Sequence, residues 1–241
     1  MFLREGERPE IAKLPLFAEM KEEQRERVFS ASHLQVFPPQ LILFDVGQKP
    51  DFLYVLVDGL IELFTTNGDR DSTMAIVEPV SSFILAALVT NQPFLMSART
   101  LQSSRVMLIP ADLLRDVIKQ DGALMQEAMR ELAVGYRHMV RTLTDMKLRQ
   151  STERLGNFLL LESHKRNGAM NLQLRGEKKL LASLLGMTPE NLSRALSALA
   201  KHGVSVAGGN ITITDHDALV TFARPDPFLD GVEVQSPFGS S

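Results

Sequence analysis

The chain contains no cysteine. Disulfides, thiolate catalysis, cysteine-ligated zinc and iron–sulfur clusters are therefore excluded. Long hydrophobic runs are also lacking, since the stretch from Phe83 to Val89 is far too short to span a bilayer. The N-terminal residues have no apolar core of the kind found in signal peptides. We therefore expect a soluble, cytoplasmic protein without a membrane partner.

Charge is unevenly distributed along the chain. The whole sequence has a formal net charge of −3, whereas residues Arg137 to His202 contain twelve Lys and Arg against five Asp and Glu. A basic segment joined to an acidic one is typical of a protein in which one part binds nucleic acid, because Lys and Arg neutralise backbone phosphates. The composition therefore favours DNA binding by the C-terminal half.

The most informative segment is KKLLASLLGMTPENLSRALSALAK, from Lys178 to Lys201. Leucines at helical spacing predict a short helix, and Gly186 follows them where a helix commonly ends in a left-handed residue. Thr188 is a good N-cap, and Pro189 suits the first position of a second helix. Two helices joined in this way are typical of a helix-turn-helix, whose second helix enters the DNA major groove. The alternative is an ordinary helical hairpin with a solvated charged face.

Polar and basic side chains in this segment are the candidates for DNA contact. The second helix buries Leu192, Ala195, Leu196 and Leu199 on one face, so its polar residues fall on the other. Contacts to phosphates fix the register of a protein on DNA without reading its sequence. For each lysine taken separately, a solvated side chain is the alternative. The predicted phosphate contacts are Arg175, Lys178, Lys179, Ser197 and Lys201.

The rest of the chain is divided into a β-rich segment and helices. From His33 to Pro110, short β-rich runs alternate with turn signals, which is typical of a sandwich or barrel. The pairs Asp58-Gly59 and Asn67-Gly68 predict hairpin turns there. Gly208-Gly209-Asn210 predicts a hairpin after the helix-turn-helix, which is therefore expected to be winged. The fold class is α+β, with a β-roll over 10–120, a long helix and hinge over 121–147, the winged helix-turn-helix over 148–223 and a disordered tail over 224–241.

The long helix is predicted to start at Asp121 and to run past Met146. It carries a stripe at steps of three and four residues whose small members suit a close partner helix. The simplest partner is the same helix of a second copy, related by two-fold symmetry. Packing against its own β domain is the alternative, and a hinge is expected near Thr144-Asp145. The predicted dimer stripe consists of Leu124, Ala128, Leu132, Gly135, Met139, Thr142 and Met146.

In this order of elements, residues 10 to 222 resemble the Crp/Fnr superfamily of bacterial transcription regulators. The most specific part of the resemblance is LGMTPENLSRAL, at Leu185 to Leu196. The segment LILFDVGQKPDFLYVLVDGLIELF is similar to the β-roll of the family, and FILAALVTNQPFLMSARTL is similar to its FtrB-like subgroup. The resemblance implies a homodimer that binds double-stranded DNA, at an inverted repeat similar to TTGAT…ATCAA, and that contacts RNA polymerase.

The resemblance also implies which residues read bases. In the Fnr branch, the recognition helix carries a Glu, then two residues, then Ser-Arg, and Glu190, Ser193 and Arg194 match this pattern. An arginine can donate two hydrogen bonds to guanine, and a carboxylate can accept one from cytosine N4. With the N-cap added, the predicted base-reading residues are Thr188, Glu190, Ser193 and Arg194.

The β-roll departs from the cyclic-AMP-binding members of the superfamily. Those members carry a Gly-Glu pair and, about ten residues later, an Arg-Ser pair, whereas the corresponding stretch from Ser81 to Phe94 has neither. An anionic ligand would enter an apolar pocket unneutralised, which is costly, so we expect no cyclic AMP. An apolar set could line an effector pocket or could simply be core. It consists of Phe83, Ile84, Leu85, Leu88, Phe94, Leu95 and Met96.

Two further functions are alternatives to a regulator with an unidentified effector. A haem-dependent NO or CO sensor of the same fold would need an axial ligand, which His33 or His138 could supply. A cupin-type enzyme would need clustered His and Glu metal ligands on barrel strands, but only His33 is near those strands. We therefore expect no catalytic residues, no metal and no cofactor.

Overall fold

The computed structural model describes residues 8–68, 70–173, 178–207 and 209–230. The chain is divided into two compact units, Met1–Tyr136 and Arg137–Ser241. Among the described helices, none combines the length and the apolar character needed to cross a membrane.

The first unit begins with helices and continues as strands. The N-terminal helices are α1 (Arg8–Ala12), α2 (Pro15–Ala18) and α3 (Glu22–Ala31). The strands are β1 (His33–Phe37), β2 (Ile42–Phe44), β3 (Phe52–Asp58), β4 (Ile61–Asn67), β5 (Arg70–Val77), β6 (Ser81–Phe83), β7 (Ser97–Thr100) and β8 (Ser104–Pro110). The remaining helices are α4 (Leu85–Thr90), α5 (Ala111–Gln120) and the first part of α6 (Gly122–Leu148).

The strands form two antiparallel sheets, ordered β1-β8-β3-β6 and β2-β7-β4-β5. The hairpin predicted at Asn67-Gly68 is confirmed, since β4 pairs with β5. The hairpin predicted at Asp58-Gly59 is wrong, because β3 and β4 belong to different sheets. Gly59 has φ +108°, and a Cβ there would lie 2.3 Å from Oγ of Ser104, so the chain crosses between the sheets at a point that accepts only glycine.

The side chains of β3 alternate between two apolar cores, which lie on opposite faces of the β1-β8-β3-β6 sheet. Leu53 and Val55 belong to a cluster with the N-terminal helices, α5 and the start of α6. Tyr54 and Leu56 belong to a second cluster, which includes residues of the β2-β7-β4-β5 sheet. Because successive side chains of a strand point to opposite faces, the first sheet separates a helix-facing core from a core between the sheets.

Asp121 joins the start of α6 to the N-terminal helices. Its Oδ1 accepts hydrogen bonds from the amides of Ala123 and Leu124, each at 3.0 Å, and its Oδ2 accepts one from the amide of Lys21 at 2.9 Å. The predicted start of the long helix is confirmed, since α6 begins at Gly122. A single buried carboxylate thus satisfies amides at the first turns of two helices.

The second unit is a helical domain with a small sheet. After the end of α6 come α7 (Ser151–Lys165), β9 (Asn171–Gln173), α8 (Lys178–Leu184) and α9 (Pro189–Leu199). A 3-10 turn at Ala200–His202 leads to β10 (Val204–Ala207), β11 (Asn210–Ile213), α10 (His216–Ala223) and α11 (Pro227–Asp230). The sheet order is β10-β11-β9, and its apolar core also includes residues of α7, α9 and α10.

The helix is unbroken at Thr144-Asp145, near which a hinge is predicted: the Thr144 hydroxyl donates to the carbonyl of Val140 at 2.8 Å, and α6 continues to Leu148. The hinge stays a prediction. The predicted disordered tail begins with an ordered turn, since Pro227–Asp230 are helical. A short helix forms there because the side chain of Asp226 accepts hydrogen bonds from the amides of residues 228 and 229. Residues 231–241 lie outside the described part of the chain.

Candidate DNA-binding site

The predicted helix-turn-helix is confirmed in its local geometry. Gly186 ends the first helix with φ +63°, in the left-handed region that favours glycine. Thr188 is the N-cap of α9, and its hydroxyl accepts a hydrogen bond from the amide of Asn191 at 3.2 Å. Pro189 occupies the start of the helix, where its missing amide hydrogen costs nothing. The turn is therefore specified by these residues.

The two faces of α9 differ sharply in burial. Its apolar residues are buried in the core of the second unit, and they are Leu192, Ala195, Leu196 and Leu199. The structure brings the predicted base-reading residues together on the exposed side of the helix, and they are Thr188, Glu190, Ser193 and Arg194. Glu190 also lies in the first turn, where the helix dipole favours a negative charge. The exposed face of α9 therefore offers donors and acceptors suited to base edges.

Both serines on this face are bonded to their own helix. The hydroxyl of Ser193 donates to the carbonyl of Pro189 at 3.0 Å, and that of Ser197 donates to the carbonyl of Ser193 at 3.0 Å. A serine oxygen that donates in this way still has lone pairs to accept from a base amine. It must break the intrahelical bond before it can donate to a base or phosphate.

Of the predicted phosphate contacts, the lysines lie before and after α9 in the chain, and Ser197 lies within it. Lys178 and Lys179 are exposed at the start of α8, and Lys201 is exposed in the 3-10 turn after α9. Arg175 lies outside the described residues. Arg154 of α7, which was not predicted to take part in this site, donates from its Nε to the carbonyl of Leu185 at 3.2 Å. That bond satisfies a carbonyl just after the end of α8 and so supports the turn. The sequence gives no signal for this contact, because an arginine in an amphipathic helix is common.

The wing predicted after the helix-turn-helix is also confirmed. β10 and β11 pair as an antiparallel hairpin, with Ala207 opposite Asn210. At its base, Gly203 has φ +78°, and a Cβ there would lie 2.3 Å from the carbonyl oxygen of Asp215. The side chain of Asp215 accepts from the amide of Ala218 at 3.0 Å and so caps α10. The hairpin is therefore closed against the N-terminus of the following helix.

The residues predicted to line an effector pocket are not brought together. Phe83 and Phe94 are in the cluster between the two sheets, with Ile84 and Met96 packed against it. Leu85 and Leu88 belong instead to the helix-facing core. Leu95 is 83% exposed. The seven residues thus contribute to two separate cores and to the surface.

Aromatic rings occupy the space between the two sheets. The ring centroids of Phe44 and Phe94 are 4.1 Å apart, those of Phe44 and Tyr54 are 5.1 Å apart, and those of Tyr54 and Phe83 are 5.5 Å apart. Burial, with a smaller contribution from the Asp51 carboxylate, raises the pKa of Tyr54 to about 12. The interior of the β-roll is therefore apolar and filled at this point.

Arg99, the arginine of β7, forms ion pairs with two carboxylates. Nε of Arg99 lies 2.7 Å from the buried carboxylate of Glu62, and Nη1 lies 2.6 Å from the exposed carboxylate of Asp71. Ala98, the preceding residue, belongs to the cluster between the two sheets. Because neighbouring side chains of a strand point to opposite faces, Arg99 points away from that cluster. The charge of Arg99 is therefore paired with two carboxylates on the side of β7 away from the aromatic rings.

The histidines considered for haem are on the surface. His33 of β1 and His138 of α6 are both exposed, and neither belongs to a buried cluster. Within residues 8–68, 70–173, 178–207 and 209–230, no group of three or more His, Asp or Glu residues is placed to hold a metal ion.

The exposed apolar stripe of α6 differs from the predicted one. Leu124 and Ala128 are buried in the helix-facing core of their own unit, and Leu132 packs partly against it. The exposed side of the helix carries large apolar residues that the prediction omitted, including Tyr136 and Leu143. Together with Leu132 they define a heptad stripe, with alternating steps of four and three: Met125, Met129, Leu132, Tyr136, Met139, Leu143 and Met146.

Comparisons with known proteins agree with this geometry. The cyclic nucleotide-binding domain family matches residues 34–121, and the Crp-like helix-turn-helix domain family matches residues 153–222. An anaerobic regulatory protein of Pasteurella multocida is 26% identical over 184 residues, which are 74% of this chain and 67% of that protein. A CRP-like cAMP-activated global transcriptional regulator of Mycobacterium tuberculosis is 24% identical over 194 residues, which are 78% and 87% of the two chains. The structure of FixK2 from Bradyrhizobium japonicum superposes with a TM-score of 0.68 at 19% identity, covering 79% of this chain and 96% of that one, and shows the same fold.

Proposed function

Because the chain belongs to the Crp/Fnr superfamily of transcription regulators, with a DNA-binding helix-turn-helix, we propose that it acts as a homodimer on an inverted repeat. The observation that carries the proposal is the exposed polar face of α9, opposite a fully packed apolar face. Such a helix can enter the major groove while its inner face holds it to the domain. We further propose that promoter-bound protein contacts RNA polymerase, as the family resemblance implies.

The heptad stripe of α6 supports the dimer. Its steps of four and three give a repeat of 3.5 residues, the period at which two helices can wrap around each other with a continuous apolar seam. Met129, Tyr136 and Met139 on this stripe are among the most exposed large apolar side chains of the described residues. A two-fold dimer would remove these side chains from water on both chains at once.

The assignment of the base-reading residues rests on chemistry and on the family pattern. Arg194 can donate two hydrogen bonds to the O6 and N7 of guanine, and the carboxylate of Glu190 can accept from cytosine N4. Ser193 keeps its acceptor capacity while bonded to its own helix. We propose half-sites similar to TTGAT, about one helical turn apart, as a two-fold dimer requires.

The proposed effector of the β-roll is not cyclic AMP. Four aromatic rings fill the space between the sheets, and the two carboxylates bonded to Arg99 neutralise its charge. A phosphate placed there would lose its hydration without gaining a cation. An apolar effector that displaces or rearranges these rings is compatible with the same lining.

The test is selection from a random pool of duplexes with full-length protein. We expect the wild type to enrich an inverted repeat, with or without added cyclic AMP. Arg194→Ala is expected to lose choice at one G·C pair in each half-site, at a cost of about 1–3 kcal/mol. Arg166→Ala is the matched control, since Arg166 is exposed and pairs with Glu162 on α7.

Three results would contradict parts of this proposal. No enrichment by the wild type would overturn sequence-specific binding. An equal loss of affinity for every sequence would make Arg194 a phosphate contact instead of a base contact. Tighter binding of DNA in the presence of cyclic AMP would refute the proposal that cyclic AMP is not the effector.

A further inference from the structure

The C-terminal segment after the winged domain is bonded to the linker between α6 and α7. We call residues 226–230 the C-terminal turn. Nη1 and Nη2 of Arg149, at the start of that linker, donate to Oδ1 and Oδ2 of Asp230, each at 2.7 Å. Nη1 of Arg149 also lies 2.9 Å from Oδ1 of Asp145, one turn earlier in α6. A two-point arginine–carboxylate pair fixes orientation as well as distance.

This ion pair is well shielded. The side chains of Arg149 and Asp230 are only 10% and 12% exposed. Hydrogen bonds to the two carboxylates outweigh desolvation and raise the pKa of Arg149 above its ordinary value. An exposed pair of long side chains contributes little, but shielding and bidentate geometry make this pair a defined contact.

Two other features hold the C-terminal turn in place. Nε of Arg141 on α6 donates to the carbonyl of Phe228 at 3.0 Å. Within the turn, the amide of Asp226 donates to Oδ2 of Asp230 at 2.6 Å. The turn is therefore held at two positions eight residues apart, Arg141 in α6 and Arg149 in the linker directly after it.

The same linker is bonded to the helix-turn-helix. The carbonyl of Arg149 accepts from Nη1 of Arg154 at 2.8 Å, and Nε of Arg154 donates to the carbonyl of Leu185. Leu185 directly follows α8 and precedes Gly186 in the turn into α9. A continuous series of hydrogen bonds thus leads from Asp230, through the linker, to the turn before α9.

We propose that Arg149 and Asp230 are positioning residues for DNA recognition. The C-terminal turn clasps the linker and fixes the angle between the end of α6 and α9. Neither residue contacts DNA, and both act through the orientation of the recognition helix. The proposal rests on the proposed function, since it assumes that two copies present their α9 helices at a fixed separation.

Asp230→Asn is the informative variant. It removes the charge but retains the size, and Arg149 keeps Asp145 as a partner, so no cation is left buried without a carboxylate. Asp217→Asn is the matched control. It changes the net charge by the same amount, and Asp217 is fully exposed on α10. Asp230→Glu is the conservative variant, expected to restore the pair in part.

The first measurement concerns the angle itself and does not depend on DNA. Because the chain has no cysteine, spin labels attach only at introduced positions, here His138→Cys on α6 and His164→Cys on α7. Labelled protein is mixed with excess unlabelled protein, and the distance distribution is measured by double electron–electron resonance. We expect a narrow distribution for the wild type and for Asp217→Asn, and a broader one for Asp230→Asn. Identical distance distributions in all three proteins would overturn the proposal that the C-terminal turn fixes this angle.

The second measurement uses full-length protein on inverted repeats whose spacer is changed by one base pair, which rotates one half-site by about 35°. The wild type and Asp217→Asn are expected to lose much of their affinity. Asp230→Asn is expected to lose less, with Asp230→Glu in between. A wild type indifferent to the spacer would count against the proposed dimer, whereas spacer discrimination equal in Asp230→Asn and the control would overturn the positioning role alone.

Discussion

Replacing Leu143 tests the heptad stripe of α6 as a dimer seam. Leu143 is 55% exposed in the single chain. Complete burial of a leucine side chain stabilises by about 1.5–3 kcal/mol, so burying the exposed half contributes roughly 1 kcal/mol per chain. Two-fold symmetry doubles the loss in Leu143→Ala to about 2 kcal/mol, which corresponds to a dimer Kd raised about 30-fold.

The matched control is Leu148→Ala. Leu148 is 75% exposed and lies on the same helix, but it is two residues after Met146 and therefore on the opposite side from the stripe. Sedimentation velocity over a dilution series measures both dissociation constants. We expect Leu148→Ala to match the wild type. An equal effect of the two substitutions, or none from Leu143→Ala, would show that this face of α6 is not the seam.

Two predictions concern stability. The pKa of Asp121 lies below its ordinary value of 3.8, because three amide hydrogen bonds outweigh the effect of burial, which raises it. The stabilisation is therefore complete above about pH 4 and lost as the pH falls through the lowered pKa. In thermal denaturation the advantage of wild type over Asp121→Asn should shrink on acidification, while a pH-independent difference would refute the role of the charge. Gly203→Ala should destabilise the protein by about 1–3 kcal/mol. It should cost more than Gly209→Ala, whose Cβ would meet open space; equal costs in urea denaturation would refute the close contact with Asp215.

The β-roll shows what a turn signal in the sequence can predict and what it cannot. Asn67-Gly68 and Asp58-Gly59 are equally good hairpin signals in sequence, and only the first joins paired strands. The second connects two sheets, because β3 is paired with β6 and β8. A dipeptide determines whether the chain can turn, but the partner of each strand depends on residues far along the chain.

The dimer stripe shows the same limit for helices. Periodicity identified α6 correctly, but two overlapping stripes have acceptable spacing, one through Leu124 and one through Met125. The packing of Leu124 into its own domain decides between them, since a side chain buried there is not free to meet a second copy. The exposed residues from Met125 to Met146 at steps of four and three then form one heptad pattern, whereas Val134, Val140 and Leu148 are exposed outside it.

The sequence by itself determined the helix-turn-helix, because its specification is local. The left-handed Gly186, the Thr188 cap and the apolar spacing of α9 all act within a few residues, and the sequence predicts each of them. Only the tertiary structure decided that Asp230 meets Arg149, 81 residues away, and that aromatic rings from separate strands fill the β-roll. Such contacts depend on how the chain is folded in space, and no local pattern of residues encodes them.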